Sequence, residues 1–418
     1  MNDAGAGSTG STMKATTALL CWFLVVFDGY DLVIFGAVAP ALLQEPGWGM
    51  TPDSVAMIAS VTLVGLFMGS LTAGNLADRF GRRAMIIATV TIFSLSMAGS
   101  AMASSALMLG GFRFLAGLGL GGLLPVMGTL VVELAPVGRK RLYHSLTFTA
   151  FPVGGIFAGG MALWLLPDFG WRAVLWIGAL PLLLILPLIK TLPESSEYTR
   201  AEVSLGEPPA ARGGFASLFD GRYRGATIMF GCIFAVCLFT SYGLLTWLPQ
   251  IMIGAGFSLR SSLSFLLVMN TVALLLLPVA GFLAERRGPK AVCVGSFALA
   301  AISIALLAAQ PPVWAVYALV GFAGFGAVGL VIQLSAYVAN HYEVENRGSA
   351  MGWALGVGRL GAVAGPLVGG WLLTSGTSLV TKFFVFAAAS AFGALITLAV
   401  PSPPRPAAIN SVREPRVI

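Results

Sequence analysis

Two aspartates three residues apart, Asp28 and Asp31, stand inside the apolar run CWFLVVFDGYDLVIFGAVAPALL. On a helix that spacing puts both carboxylates on one face. A charged Asp at the centre of a bilayer costs about 2.5–3.5 kcal/mol, and neighbouring like charges add repulsion at low dielectric. The physical escapes are protonation, a cationic partner or a water-filled cavity. The two carboxyls titrate as a coupled unit, which is the chemistry of a group that takes up and releases a proton. Two arginines, Arg113 and Arg359, also lie in apolar runs. Two Arg and two Asp sum to zero charge, and protonating one Asp leaves a site of about one positive charge. Arg suits bidentate capture of a carboxylate, so the matching ligand is an organic anion.

The elements that hold these charges follow from composition. The chain has 418 residues, 57% hydrophobic and only 10% charged, too little charge for a soluble surface. Apolar segments of 18 or more residues recur along its length, the mark of membrane-spanning helices and not of a β-barrel. The fold class expected is an all-α polytopic membrane protein with twelve transmembrane helices in two six-helix halves. The spans are expected at 17–43, 54–78, 84–103, 106–134, 141–166, 171–191, 226–253, 261–284, 290–309, 312–340, 347–374 and 379–401. Residues 1–16 and 402–418 read as cytoplasmic tails, and the polar, Gly/Pro-rich 192–225 as a cytoplasmic linker between halves 17–191 and 226–401. The small, polar N-terminus lacks the features of a cleaved signal peptide. Nineteen of the 24 Lys and Arg fall in the tails and even-numbered loops, three (Arg172, Arg260, Lys382) on the other side and two within spans. That asymmetry places both termini in the cytoplasm, and the multi-pass chain in a cell's inner membrane. It also accounts for the net charge of +7 without a nucleic-acid partner. The four cysteines sit in apolar segments without metal-ligand spacing, and no metal or cofactor is implied.

The depths agree. At 1.5 Å per residue, Asp28 and Asp31 lie about 16 and 21 Å from the inner end of the first span, and Arg359 about 18 Å from the inner end of the eleventh. Arg113 lies about 10 Å from the outer end of the fourth. All four occupy a middle-to-outer band of the membrane.

An internal repeat joins the halves. GNLADRFGRR (74–83) follows the second span and GFLAERRGPK (281–290) the eighth, starting 207 residues apart. Parallel repeats of this kind enclose a midplane site in transporters. Gly74, Asp78, Arg79, Gly81, Arg82 and Arg83 in the first copy, and Glu285 in the second, read as a state-locking latch as well as a tight turn. Glu133, at the inner end of the fourth span, is the expected ion-pair partner for the loop arginines.

GNLADRFGRR resembles the loop 2–3 signature of the major facilitator superfamily. RFLAGLGLGG (113–122), GWR (170–172) and LPESSEY (192–198) resemble its motifs in span 4 and at the two ends of span 6. Within that superfamily, DGYD resembles the D-G-x-D signature of the aromatic acid:proton symporters. YEVENRGSAMGWALGVGRLGAVAGP (342–366) resembles their span 11, and WLP (247–249) their span 7. The resemblance implies transport roles for Asp28, Asp31, Arg113, Arg347 and Arg359. It departs in loop 8–9, where a common Asp with a downstream His is here Glu285 with Pro289 and Lys290.

Aromatic residues able to clasp a ring are Tyr242, Trp247, Tyr337 and Trp353, with Phe35. Tyr30, between the two acids, faces elsewhere. Asn270 and Gln333 are candidates for a ring hydroxyl. His341 and His144, at span ends, read as local hydrogen-bonding residues. Glycine-rich runs in spans 4 and 11, with Pro366, allow close packing or bending.

The function expected is therefore a proton-coupled carrier, not an enzyme, that imports a small aromatic carboxylate as a monomer. Asp28, Asp31 and Arg113 couple the proton; Arg113, Arg359 and Asp31 meet the substrate; Arg347 joins the gate. The alternatives are a proton-coupled antiporter, a symporter of another organic acid, and a non-transporting sensor. No metalloprotease motif, Ser-His pair or nucleotide loop supports an enzyme.

Overall fold

The computed structural model describes residues 15–136, 139, 143, 146–147, 149–193, 215–219, 221 and 223–401. Both tails, most of the linker, the start of the fifth span with His144, and most of LPESSEY lie outside the described residues. The elements are helices throughout: α1 (Ala15–Leu42), α2 (Pro52–Phe80), α3 (Arg82–Ala101), α4 (Ala106–Leu134), α5 (Ala150–Gly178) and α6 (Ile185–Thr191). The second half holds α7 (Arg224–Gly254), α8 (Leu259–Arg287), α9 (Pro289–Leu307), α10 (Val313–Gly324), α11 (Leu330–His341), α12 (Val344–Thr374) and α13 (Leu379–Ala399).

Eleven of the described stretches are long and apolar enough to cross a membrane, and one of them, Ala150–Thr191, has 42 residues. A straight helix of that length would run about 63 Å, twice the hydrocarbon core. The chain breaks instead at Gly170, φ 73 and ψ 176, in the GWR motif. The fifth span leaves the membrane there and the sixth enters, giving twelve. The sixth is less regular than expected. Leu180–Leu184 is a 3-10 turn, with Pro181 inside it and Pro187 just beyond.

The tenth span also departs from a plain helix. A π-helical turn at Phe325–Gly329 joins α10 to α11, and the extra residue per turn widens the helix locally.

Polar caps start four helices at the face that the loop charge asymmetry marks as outer. Thr51, Ser105, Ser258 and Ser378 each accept a first-turn N–H with the side-chain oxygen. The repeat is visible in the backbone. Gly81 ends α2 at φ 89, ψ 149, and Gly288 ends α8 at φ 83, ψ 151, both positive-φ turns suited to glycine.

Within the first half α1 packs on α5, and α2 and α3 on α4; in the second, α7 packs on α12, α8 on α10, and α9 on α13. The halves meet through α1 with α7, α2 with α12, and α5 with α8. α1 is buried on every side from Leu24 to Ala39, as a central helix must be, and apart from Asp28, Gly29, Tyr30 and Asp31 its side chains there are apolar. Large exposed apolar side chains such as Leu183, Leu186, Trp314 and Leu395 lie on the outer helices, where lipid rather than water is the solvent.

The contacts between halves are concentrated toward the outer face. A Cβ on Gly36 of α1 would lie 1.8 Å from the Leu245 carbonyl oxygen of α7. Ser60 Oγ of α2 donates to the Val363 carbonyl of α12 at 2.9 Å. Toward the inner face, a Cβ on Gly74 of α2, Gly281 of α8, or Gly352 and Gly356 of α12 would meet nothing within 4 Å. The halves touch at the end that carries Thr51 and Ser378 and diverge at the end that carries Gly81 and Gly288.

Candidate functional site

Close helix approach builds the site. In α4, a Cβ on Gly117 or Gly121 would lie 2.0 Å from the Thr62 or Leu66 carbonyl oxygen of α2. Without side chains at these positions, α4 closes on α2 and carries Arg113 to the centre of the first half. There Arg113 grips Asp31 of α1 in a bidentate ion pair: Nη1 donates to Oδ1, and Nη2 to Oδ2 at 3.0 Å. Both side chains are almost wholly buried, at 1% and 0% exposed. Nη1 also lies 3.2 Å from the Met97 sulfur, and the Phe35 ring centroid is 5.2 Å from the guanidinium carbon. The Arg113 Nε is left without a hydrogen-bond partner.

Asp28 has a different setting. It is 1% exposed, and neither carboxylate oxygen has a hydrogen-bond partner. Its charged neighbours are Asp31 and Arg359. Tyr242 of α7 shares this environment, with Arg359 and Asp28 both acting on its hydroxyl. The four charges expected to gather do so, but unequally: Asp31 is held by Arg113, while Asp28 faces the partly exposed Arg359 across the interface between the halves.

A small cavity of about 20 Å³ adjoins the pair, walled by Phe35, Thr62, Arg113, Tyr242 and Thr246 among others. That is room for a water, not a ring. Thr62, Thr246 and Met97 were not anticipated. Their depth and helix face alone could have flagged the threonines; nothing in the sequence singles out Met97.

Several expected ring-binding residues are placed elsewhere. Tyr30 donates to the Val174 carbonyl at 2.7 Å and pins α1 to α5, facing away as expected. Trp247 is fully buried, its indole N–H donating to the Pro366 carbonyl at 2.8 Å, so it clamps α7 to α12. Trp353 donates to the Thr227 carbonyl, also at 2.8 Å, near the inner face. Tyr337 packs against Phe230 and His341 at the same end. Gln333 accepts from Ser296 of α9 at 2.7 Å, away from the central cluster. Asn270 lies between the halves against Gly155, buried, its Oδ1 without a partner.

At the inner face, Arg82 pairs with Glu133 as expected, and Arg83 donates to the Ile189 carbonyl. The Arg79 guanidinium lies 5.3 Å from the Phe80 ring centroid. Asp78 and Glu285 are exposed, and Arg347 donates to the Tyr342 carbonyl at 3.0 Å. At the outer face stands a cluster not anticipated. Glu45 accepts from Trp171 Nε1 and from Arg172 Nη1, each at 2.7 Å, and Arg172 stacks on Trp171 at 4.2 Å. Burial alone would raise the Glu45 carboxyl. The hydrogen bonds from Trp171 and Arg172, with the Arg172 charge, outweigh it and hold the group below its ordinary value. The clamp thus stays charged at neutral pH, tying the loop after α1 to the entry of the sixth span.

Comparison with known proteins agrees with this architecture. The profile of the Major Facilitator Superfamily matches residues 21–276 and 260–417. A gentisate transporter of Corynebacterium glutamicum is 36% identical over 388 residues, covering 92% of this chain and 87% of its own. A benzoate transport protein of Acinetobacter baylyi is 34% identical, covering 85% of this chain and 83% of its own. A crystal structure of a D-xylose–proton symporter superposes with a TM-score of 0.77 at 17% identity, over 93% of this chain and 98% of that one. At that identity the last likeness speaks for the fold alone.

Proposed function

Because this chain belongs to the major facilitator superfamily, among its aromatic-acid transporters, we propose that it imports a small aromatic carboxylate together with protons by alternating access. It is a transporter and not an enzyme. In this reading it lies in the inner membrane with both termini in the cytoplasm and works as a monomer.

One observation carries the reading: of two buried aspartates on one helix face, one is locked to Arg113 and the other has no hydrogen-bond partner. The locked pair carries no net charge. Asp28 is then the proton carrier. While it is ionised, its charge offsets that of Arg359, and the centre is neutral. When Asp28 takes a proton, Arg359 is left in excess and captures the substrate carboxylate, with the Tyr242 hydroxyl beside it. Proton and anion together restore neutrality. A low-dielectric centre disfavours the two half-loaded states, one with a bare excess arginine and one with an excess carboxylate. That penalty couples the two ligands. The relatives named for gentisate and benzoate support an aromatic acid as the anion.

In liposomes with an alkaline interior, labelled 4-hydroxybenzoate and benzoate should accumulate, and an uncoupler should abolish the accumulation. Asp28→Asn should keep exchange of substrate across the membrane while losing pH-driven accumulation. Accumulation that survives in Asp28→Asn removes Asp28 from the proton path. Absence of uptake of any aromatic acid, in a preparation active with another substrate, removes the substrate class.

A further inference from the structure

The two halves repeat at an offset of 207 residues, and at one place the copies differ in a way that leaves a vacancy in the second. The offset maps Gly81 onto Gly288, Arg83 onto Lys290, Glu133 onto Asn340 and Leu134 onto His341. The helix ends match it: α4 stops at Leu134 and α11 at His341. In the first half, α3 starts after Gly81 with no side-chain cap on its first-turn N–H groups, and Glu133 supplies a carboxylate to Arg82 beside that start. In the second half, α9 also starts after a glycine that provides no side-chain cap, but no carboxylate occupies the corresponding position.

What stands there is a cavity of about 220 Å³ at the inner face, lined by Pro289, Lys290, Tyr337, Asn340, His341 and Pro401. His341 is 5% exposed, and its Nδ1 has no hydrogen-bond partner, contrary to the local hydrogen bond expected of it. Lys290 spends one of its three donors on the Val400 carbonyl at 2.7 Å and has two to spare. An uncapped helix start, a free ammonium capacity and an unpartnered buried imidazole converge on one space. The first two favour an anion, and the imidazole, with Nδ1 as its N–H, can donate to one. Two prolines and a tyrosine ring supply the apolar wall, beside Gly288 and the Asn340 amide.

We propose that this cavity is a second site, open to the cytoplasm and separate from the central one, for a small carboxylate with an apolar ring body. The ligand's carboxylate lies against Lys290 and His341, and its ring between Pro289, Tyr337 and Pro401. A volume of about 220 Å³ holds a single-ring acid. The choice of ring acid rests on the transport reading; the existence of the site does not.

The test uses the full-length protein in phosphatidylcholine nanodiscs, with benzoate as the probe and calorimetry as the readout. Wild type should bind two equivalents. Lys290→Gln should weaken one of them about tenfold or more, the usual effect of removing a charged hydrogen-bond donor. Asn340→Glu should eliminate the same equivalent by restoring the internal carboxylate, and Arg359→Gln should remove only the other. A wild type that takes up benzoate yet binds one equivalent, insensitive to Lys290→Gln, overturns the second site and leaves transport standing. A protein that shows no benzoate uptake but binds one equivalent, lost in Lys290→Gln and kept in Arg359→Gln, supports the site and overturns the transport reading. Inorganic phosphate displacing this equivalent as well as benzoate does, or its loss when phosphatidylglycerol enters the nanodisc, overturns the assignment to a ring carboxylate.

Discussion

Asp28 and Asp31 share a helix face and a chemistry, yet their surroundings divide them. The pair itself was legible from residue type and spacing, as were Arg113 and Arg359. Which acid would be locked was not, because that depends on how far α4 reaches over α2, set by Gly117 and Gly121 packing on backbone oxygens. The division predicts opposite stability effects. Asp31→Ala strands a buried guanidinium, and removing one member of such a pair costs about 3–5 kcal/mol. The melting temperature in detergent should fall clearly, and Arg113→Met added to Asp31→Ala should recover much of the loss. Asp28→Asn deletes a buried carboxylate with no hydrogen-bond partner, so melting should hold or rise. Equal falls in Asp28→Asn and Asp31→Ala would contradict the division.

Among the elements, helix existence was the readily legible part and helix interiors were not. Long apolar runs announce spans, and GWR marked the break that separates the fifth from the sixth. The π turn at Phe325–Gly329 carries no comparable signal in a run as apolar as its neighbours. The ring-binding aromatics were overestimated for a related reason: a Trp or Tyr in a span is equally able to clamp two helices, as Trp247 does through the Pro366 carbonyl. Depth can be counted from sequence, but rotation about the helix axis is fixed by neighbours. The same logic picks out Gly36, where α1 meets α7 across the halves. A methyl group there collides with the Leu245 carbonyl oxygen. Gly36→Ala should therefore hinder outer closure and shift the population toward outward-open. In a Cys232→Ser background, a cysteine placed at Ala59 should then react faster with an impermeant maleimide added outside. Unchanged labelling would mean that the outer seam does not depend on this contact.

On the scale of the whole molecule, the halves join near the outer face and part toward the inner one. Each half is braced internally, the first by Tyr30 to Val174 and the Glu45 clamp, the second by Trp247 to Pro366. Such halves move as rigid bodies about the shared centre. The Tyr30 and Trp247 braces were hidden from the sequence, since a carbonyl acceptor leaves no trace in residue identity.

The locked Asp31–Arg113 pair also sets the energetics of a full cycle. In the proposed cycle Asp31 stays paired with Arg113 and Asp28 alone carries a proton, so one proton crosses with each anion. No net charge moves, so the membrane potential, worth about 2.3 kcal/mol per charge per 100 mV to a charged carrier, does no work here. Electrophysiology on protein-loaded supported membranes should record no sustained current on substrate addition; a steady inward current would require a second proton. Accumulation then has a ceiling fixed by acidity alone, about tenfold for each pH unit across the membrane, because one pH unit is about 1.4 kcal/mol per proton. A cell relying on such a carrier would concentrate its substrate only as far as the surroundings are sour.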